Sequence, residues 1–162
     1  VGEIMIVYKP LETFSILDSQ CQALVNPVNC VGVMGAGLAF EFKSKYPDMF
    51  WDYKAHCESG SMHLGIVRYY PLDGQYILNF PTKYHWRDKS KLEDIESGLD
   101  YLIGLSVGLK LKSIAFPLLG CGLGGLEPKP VVDLLLKYSY LMFLDLVEIY
   151  APGDFIYNVG KN

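Results

Sequence analysis

Two short apolar runs, Gln22 to Asn26 and Ser113 to Leu118, each lead into a glycine-rich loop and then into a helical pattern. In the first, "ALVNPVN", proline blocks a helical conformation at Asn26, so the strand is expected to stop at the Asn26-Pro27 dipeptide. The loop Gly32 to Gly37 opens onto "AGLAFEFKSKYP", whose Leu38, Phe42 and Tyr46 share one helical face until Pro47 ends the pattern. The second run, "SIAFPL", passes through "LGCGLGGLEPKP", with Gly120 to Gly125 at its centre, to a helix expected to begin near Pro130.

The rest of the chain fits the same scheme. Ile4 to Tyr8 reads as a buried strand, and "LVEIYAP" as the last one. Leu64 to Tyr70 and Gln75 to Phe80, joined through Asp73-Gly74, read as an antiparallel hairpin. Ser90 followed by Glu93 has the form of a capping box, ahead of helical spacing at Leu92, Ile95, Leu99, Leu102 and Ile103. Strands alternating with helices, plus one hairpin, predict an α/β fold with a mixed, mostly parallel sheet covered on both faces. The 162 residues, 51% hydrophobic, suit a single domain over 1–162, with Met5 as the natural start and residues 1–4 foreign to it.

Composition removes several classes of function. A net charge of -4 gives no general attraction to phosphate backbones, so any nucleic-acid contact must be local and chemically specific. The four cysteines are widely spaced, with no Cys-x-x-Cys pair, and no secretory pattern precedes them, so a reducing, cytoplasmic location is expected. His56, Cys57 and His63 lack the spacing of a zinc site, and no metal is expected. The apolar runs are too short to span a bilayer, and a monomer is the expected state.

The chemistry concentrates in three stretches. Glycine-rich loops between strand and helix bring bare backbone, and the free N–H groups of a helix N-terminus, against an anion. Two such loops suggest a diphosphate held from both sides. Neither carries the Gly-Lys-Ser/Thr of an ATPase loop or the Gly-x-Gly-x-x-Gly of a dehydrogenase. The third stretch, "NFPTKYHWR", puts Lys83 at a strand end, either desolvated into a nucleophilic amine or charged and stabilising an anion. Trp86 is expected to pack into the core, and His85, Arg87, Lys89 and Lys91 form the one local basic cluster, serving either a phosphate-bearing substrate or a solvated helix start.

In order, "ALVNPVN", "GVMGAGLAFEFK", "NFPTKYHWR", "IESGLDYL" and "SIAFPLLGCGLGGL" resemble the macrodomain family of ADP-ribose-binding proteins, over nearly the whole chain. The likeness is strongest to the branch of the DarG antitoxins and the terminal ADP-ribose glycohydrolases. It implies a three-layer α/β/α sandwich and an ADP-ribosyl hydrolase that strips ADP-ribose from thymine bases of single-stranded DNA. That would be a DNA-repair activity with a DarT-like toxin as its counterpart and no cofactor. Modified protein is a further possible substrate class. The resemblance makes Lys83 the catalytic residue. It places Asn26, Asn29, Gly32, Val33, Met34, Gly35, Gly37 and Thr82 around the distal ribose and diphosphate. Gly120, Cys121, Gly122, Leu123, Gly124 and Gly125 would clasp the diphosphate from the other side. Gln22, where the second strand starts, and Tyr150, where the last one ends, would contact adenine. Gly124 stands where the human relative has an aspartate that resolves a lysine adduct, and Glu127-Pro128 stand where the branch tends to carry tryptophan. A non-catalytic ADP-ribose reader and an enzyme acting on small ADP-ribose derivatives are the alternative functions.

Overall fold

The computed structural model describes residues 2–159 and Lys161. The parts of the expected domain that fall on Val1, Gly160 and Asn162 lie outside the described residues. In chain order the elements are β1 (Met5–Pro10), the 3-10 turn η1 (Ile16–Asp18), β2 (Ala23–Val28), α1 (Gly37–Lys45), α2 (Pro47–Glu58), β3 (Arg68–Pro71), β4 (Tyr76–Pro81), α3 (Leu92–Gly108), β5 (Ser113–Pro117), α4 (Pro128–Leu141), β6 (Leu146–Ala151) and α5 (Gly153–Val159). The six strands form one sheet in the order β1-β6-β5-β2-β4-β3. Every pairing is parallel except β3 with β4, the predicted hairpin.

The apolar runs follow from this order. β2, flanked by β4 and β5, has both faces covered and is buried almost throughout, which a continuous "ALV" run serves better than alternation. Val25, Leu78, Phe80, Phe116 and Ile149 pack against α3 and α4, whereas Leu24, Ile77, Ala115 and Tyr150 pack against α1, α2 and η1. The sheet is therefore the middle layer of an α/β/α sandwich, and each core leucine or phenylalanine contributes about 2 kcal/mol. No helix of the described residues is long and apolar enough to cross a membrane.

Several expected boundaries shift. β2 does not stop at Asn26-Pro27 but runs on to Val28. Tyr76 N donates to Gln22 O and Thr82 N to Val28 O, so the even-numbered residues of β2 turn their backbone toward β4. Pro27 therefore faces the β5 side, where pairing ends at Leu24, and its missing N–H costs no ladder bond. The expected capping box is absent: the cap of α3 is Lys91, with no side-chain cap hydrogen bond, and Ser90 serves a different purpose described below. Leu64 to Val67 form a turn and an irregular stretch rather than strand, leaving β3 shorter than expected. α4 begins at Pro128, ahead of Pro130. Helices α2 and α5 were not expected, although Pro47, which ends α1, also provides the first-turn proline of α2.

Candidate active site

β2 and β5 are neighbours, yet the chain leaves β2 for α1 on one face of the sheet and β5 for α4 on the other. Diverging connections open a crevice beyond the C-terminal ends of the strands, where α/β sheets bind ligands. Both glycine loops border it. Neither α1 nor α4 has a side-chain cap hydrogen bond or an acidic residue in its first turn; α1, capped by Ala36, leaves the positive end of its dipole unmatched by protein, whereas α4 has Glu127 at its N-cap.

The first loop is held by Asn29. Its Oδ1 accepts from Tyr53 OH at 2.8 Å and Val31 N at 3.1 Å, and its Nδ2 donates to Val33 O at 2.8 Å. One N–H of the amide is left for a ligand. Gly32 adopts φ 84, a backbone conformation that strains any residue with a Cβ, which is what requires glycine where the loop passes α2. Met34 is buried beneath the loop, whereas Val33, Gly35 and Gly37 are exposed along it. Asn26 is also fully buried, donating from Nδ2 to Asn79 Oδ1 at 3.0 Å and lying under the loop rather than on its surface.

Lys83 is fixed on both sides by backbone hydrogen bonds to the end of β2. Thr82 N donates to Val28 O at 2.9 Å, and Cys30 N donates to Tyr84 O at 2.8 Å. The same segment reaches the second loop at its other end, where Ser90 N donates to Gly124 O at 3.0 Å. Residues 82–90 thus bridge from the end of β2 to the second glycine loop, and Lys83 stands at the β2 end of this bridge. Burial, followed by the charge of Lys89, pulls the Lys83 ammonium below the usual lysine range, while Asp88 opposes the shift.

The second loop folds back on itself through Leu126 N to Gly120 O at 2.9 Å and Gly125 N to Gly122 O at 3.1 Å. A Cβ on Gly124 would overlap Ser90 Oγ and meet the Gly120 carbonyl oxygen at 2.5 Å. Gly124 therefore has no room for a side chain, and the acid that the resemblance raised for this position has no place here. Ser90 is the buttress that fills this space, and its buried hydroxyl has no hydrogen-bond partner among the described residues. Lys89 lies along Gly125, its Nζ 3.7 Å from where a Cβ would stand. Burial pushes the Cys121 thiol up to about 11, which favours its protonated form, and its Sγ donates to Leu119 O at 3.7 Å. Leu123 is exposed at the loop tip and Gly122 has open space around it.

Gln22 does not join this group. It precedes β2 and its Oε1 accepts from Ser113 N at 3.2 Å, at the N-terminal edge of the sheet. Val28 lies six residue steps further along the strand, about 20 Å at the usual rise, so Gln22 cannot reach a ligand bound at the opposite edge. Tyr150 lies at the correct edge but inside β6; its ring is buried and its hydroxyl donates to Glu148 Oε1 at 2.8 Å, beside a cleft of about 200 Å³ lined by Lys9, Phe14, Ser19 and Glu148. Trp86 does not enter the core and is 45% exposed. Sequence reasoning missed Ser90 as a loop buttress, because Ser-x-x-Glu has the form of a cap. It also missed Glu12, whose carboxylate accepts from Gly153 N at 2.8 Å beyond the ends of β1 and β6 and carries no sequence signal.

A family model for the Macro domain matches residues 25–135, a span that holds both loops and Lys83. The chain belongs to the macrodomain family. Among its relatives, the DNA ADP-ribosyl glycohydrolase of Mycobacterium tuberculosis is 45% identical over 143 residues, covering 85% of this macrodomain and 40% of that protein. The solved macrodomain of Mycobacterium tuberculosis DarG superposes with a TM-score of 0.85 at 42% identity, covering 93% of this chain and 100% of that one. Thermosipho africanus DarTG, solved in complex with ADP-ribose, superposes with a TM-score of 0.80 at 35% identity over 86% of this chain and 40% of that one. The macrodomain spans about two fifths of the length of the curated relative it matches, given the 40% coverage.

Proposed function

We propose that this macrodomain is an ADP-ribosyl hydrolase that releases ADP-ribose from a modified macromolecule, with thymine in single-stranded DNA as the favoured carrier. The observation that carries the reading is the segment hydrogen-bonded to Cys30 at one end and to Gly124 at the other, which carries Lys83 and joins two loops suited to the ribose and the diphosphate. The names of the relatives, DNA ADP-ribosyl glycohydrolase and DarTG in complex with ADP-ribose, point the same way. A DarT-like transferase is the natural counterpart, since it makes the bond that this enzyme cuts.

Lys83 is the group suited to the reaction. Its lowered pKa raises the fraction of neutral amine, whereas all four thiols are pushed up by burial and stay protonated. The amine attacks C1 of the distal ribose as the glycosidic bond breaks, and the bond's electron pair leaves on the base. The surplus proton of the new C–N bond passes to that base. Ring opening gives an imine; water adds to its carbon, restores the Lys83 amine and releases ADP-ribose. Positive charge develops at the sugar during cleavage, as in other glycosyl transfers. The free N–H of Asn29 orients a ribose hydroxyl, and the uncapped start of α1 with Lys89 holds the diphosphate. Water and one lysine suffice, so the reaction uses no cofactor.

The test compares wild type with Lys83→Ala on an ADP-ribosylated oligonucleotide. Release is expected to fall by at least about a hundredfold while free ADP-ribose still binds, and borohydride is expected to trap a sugar adduct on the wild type alone. Equal release by the two proteins would remove Lys83 from the chemistry.

A further inference from the structure

The chain has two tryptophans, and both are exposed, Trp51 at 61% and Trp86 at 45%. Single exposed rings are ordinary on a protein surface, and what sets Trp86 apart is its company. Trp86 sits three residues past Lys83 in a turn that is tightly held. Asp88 N donates to His85 O at 2.9 Å, Asp88 Oδ2 accepts from His85 N at 2.9 Å, and Arg87 N donates to His85 Nδ1 at 3.1 Å. The Arg87 guanidinium lies 4.5 Å from the Trp86 ring centroid, and the His85 ring stands 5.0 Å away at 32°. Three flat groups are thus gathered beside the reactive lysine at little further ordering cost. From Lys83 to Lys91 there are four cationic residues against one carboxylate, in a chain whose net charge is -4. A second aromatic–cation pair, Lys54 Nζ 5.4 Å from the Trp51 ring, stands on α2, with Lys54 against Gly32 of the first loop.

We infer that Trp86 and Arg87 form a stacking platform for the nucleobase adjoining the modified one, with Lys91 facing a flanking phosphate. The inference rests on the hydrolase reading and extends it from the reacting sugar to the strand that carries it. Aromatic rings paired with arginine are the recurrent means of gripping single-stranded nucleic acid without base readout. A single strand is required because a paired, stacked base has no free face to offer. The acidic remainder of the surface repels long tracts of backbone, so affinity comes from these few contacts and not from general charge.

Trp51→Phe leaves Trp86 as the one tryptophan while keeping a ring on α2. Titrating this protein at low salt with a short unmodified oligothymidylate is expected to quench Trp86 emission to saturation, and adding Arg87→Gln is expected to weaken the binding about tenfold. In turnover, Trp86→Ala is expected to raise KM for an ADP-ribosylated oligonucleotide about tenfold, leave the rate on ADP-ribosylated thymidine unchanged, and be largely rescued by Trp86→Phe. No quenching while free ADP-ribose still binds, equal quenching by polyglutamate, or an unchanged KM in Trp86→Ala would each overturn the platform. Normal quenching by a wild-type protein that turns over no modified substrate would instead sink the hydrolase reading and leave the platform in place.

Discussion

At Lys83 the effects of burial and of Lys89 act in the same direction, both favouring the neutral amine, and Asp88 acts against them. If the amine is the nucleophile, kcat/KM rises with pH through the Lys83 pKa and levels off, with a midpoint below the usual lysine range. Lys89→Gln removes a positive neighbour, so the midpoint is expected to move up; Asp88→Asn removes a negative one, so it moves down. A rate that falls with rising pH over this window would make Lys83 a proton donor instead. Gly124 gives a steric test of the second loop. Gly124→Ala is expected to cost about 1–3 kcal/mol and to weaken ADP-ribose binding by calorimetry. Adding Ser90→Ala is not expected to restore it, because the Gly120 carbonyl oxygen remains 2.5 Å from the new methyl position.

Helix α3 shows how an element can be right in outline and wrong in detail. Its apolar spacing was legible, and Ile95, Leu99 and Leu102 are buried as that spacing requires. Its start was not. Ser90 was drawn out of the cap by Gly124, a partner 34 positions away in the chain that no local pattern contains. Gly98 explains how closely the helix docks: a Cβ there would meet Phe80 Cε1 at 2.8 Å, so Gly98→Ala is expected to push α3 off β4 and lower stability by about 1–3 kcal/mol, read as a fall in Tm. In the first loop, Tyr53→Phe removes the hydroxyl that binds both Asn29 Oδ1 and Asn29 O. The expected cost is about 1–2 kcal/mol, with loss of ADP-ribose affinity exceeding the loss of stability, because the loop loosens before the core does.

Across the sheet, ligand and fold are coupled, since the loops that would clasp ADP-ribose also tie β2, β4 and β5 together at their ends. Saturation at about a hundred times Kd adds about 2.7 kcal/mol, which at roughly 2–4 °C per kcal/mol raises Tm by about 5–10 °C. The same rise is expected in Lys83→Ala and a much smaller one in Gly124→Ala, as measured by differential scanning fluorimetry. The alternation of strands and helices, the antiparallel hairpin, both glycine loops and Lys83 were legible in the amino-acid order, because each is written in neighbouring residues through periodicity, proline and glycine placement, or a contiguous motif. Packing was needed to show that Pro27 continues a strand, that Ser90 buttresses Gly124, that Gln22 lies at the far edge of the sheet, and that Trp86 faces solvent. Those outcomes depend on which strand lies beside which and on the space left between distant segments, and strand order and free space are properties of the packed chain rather than of any stretch of it.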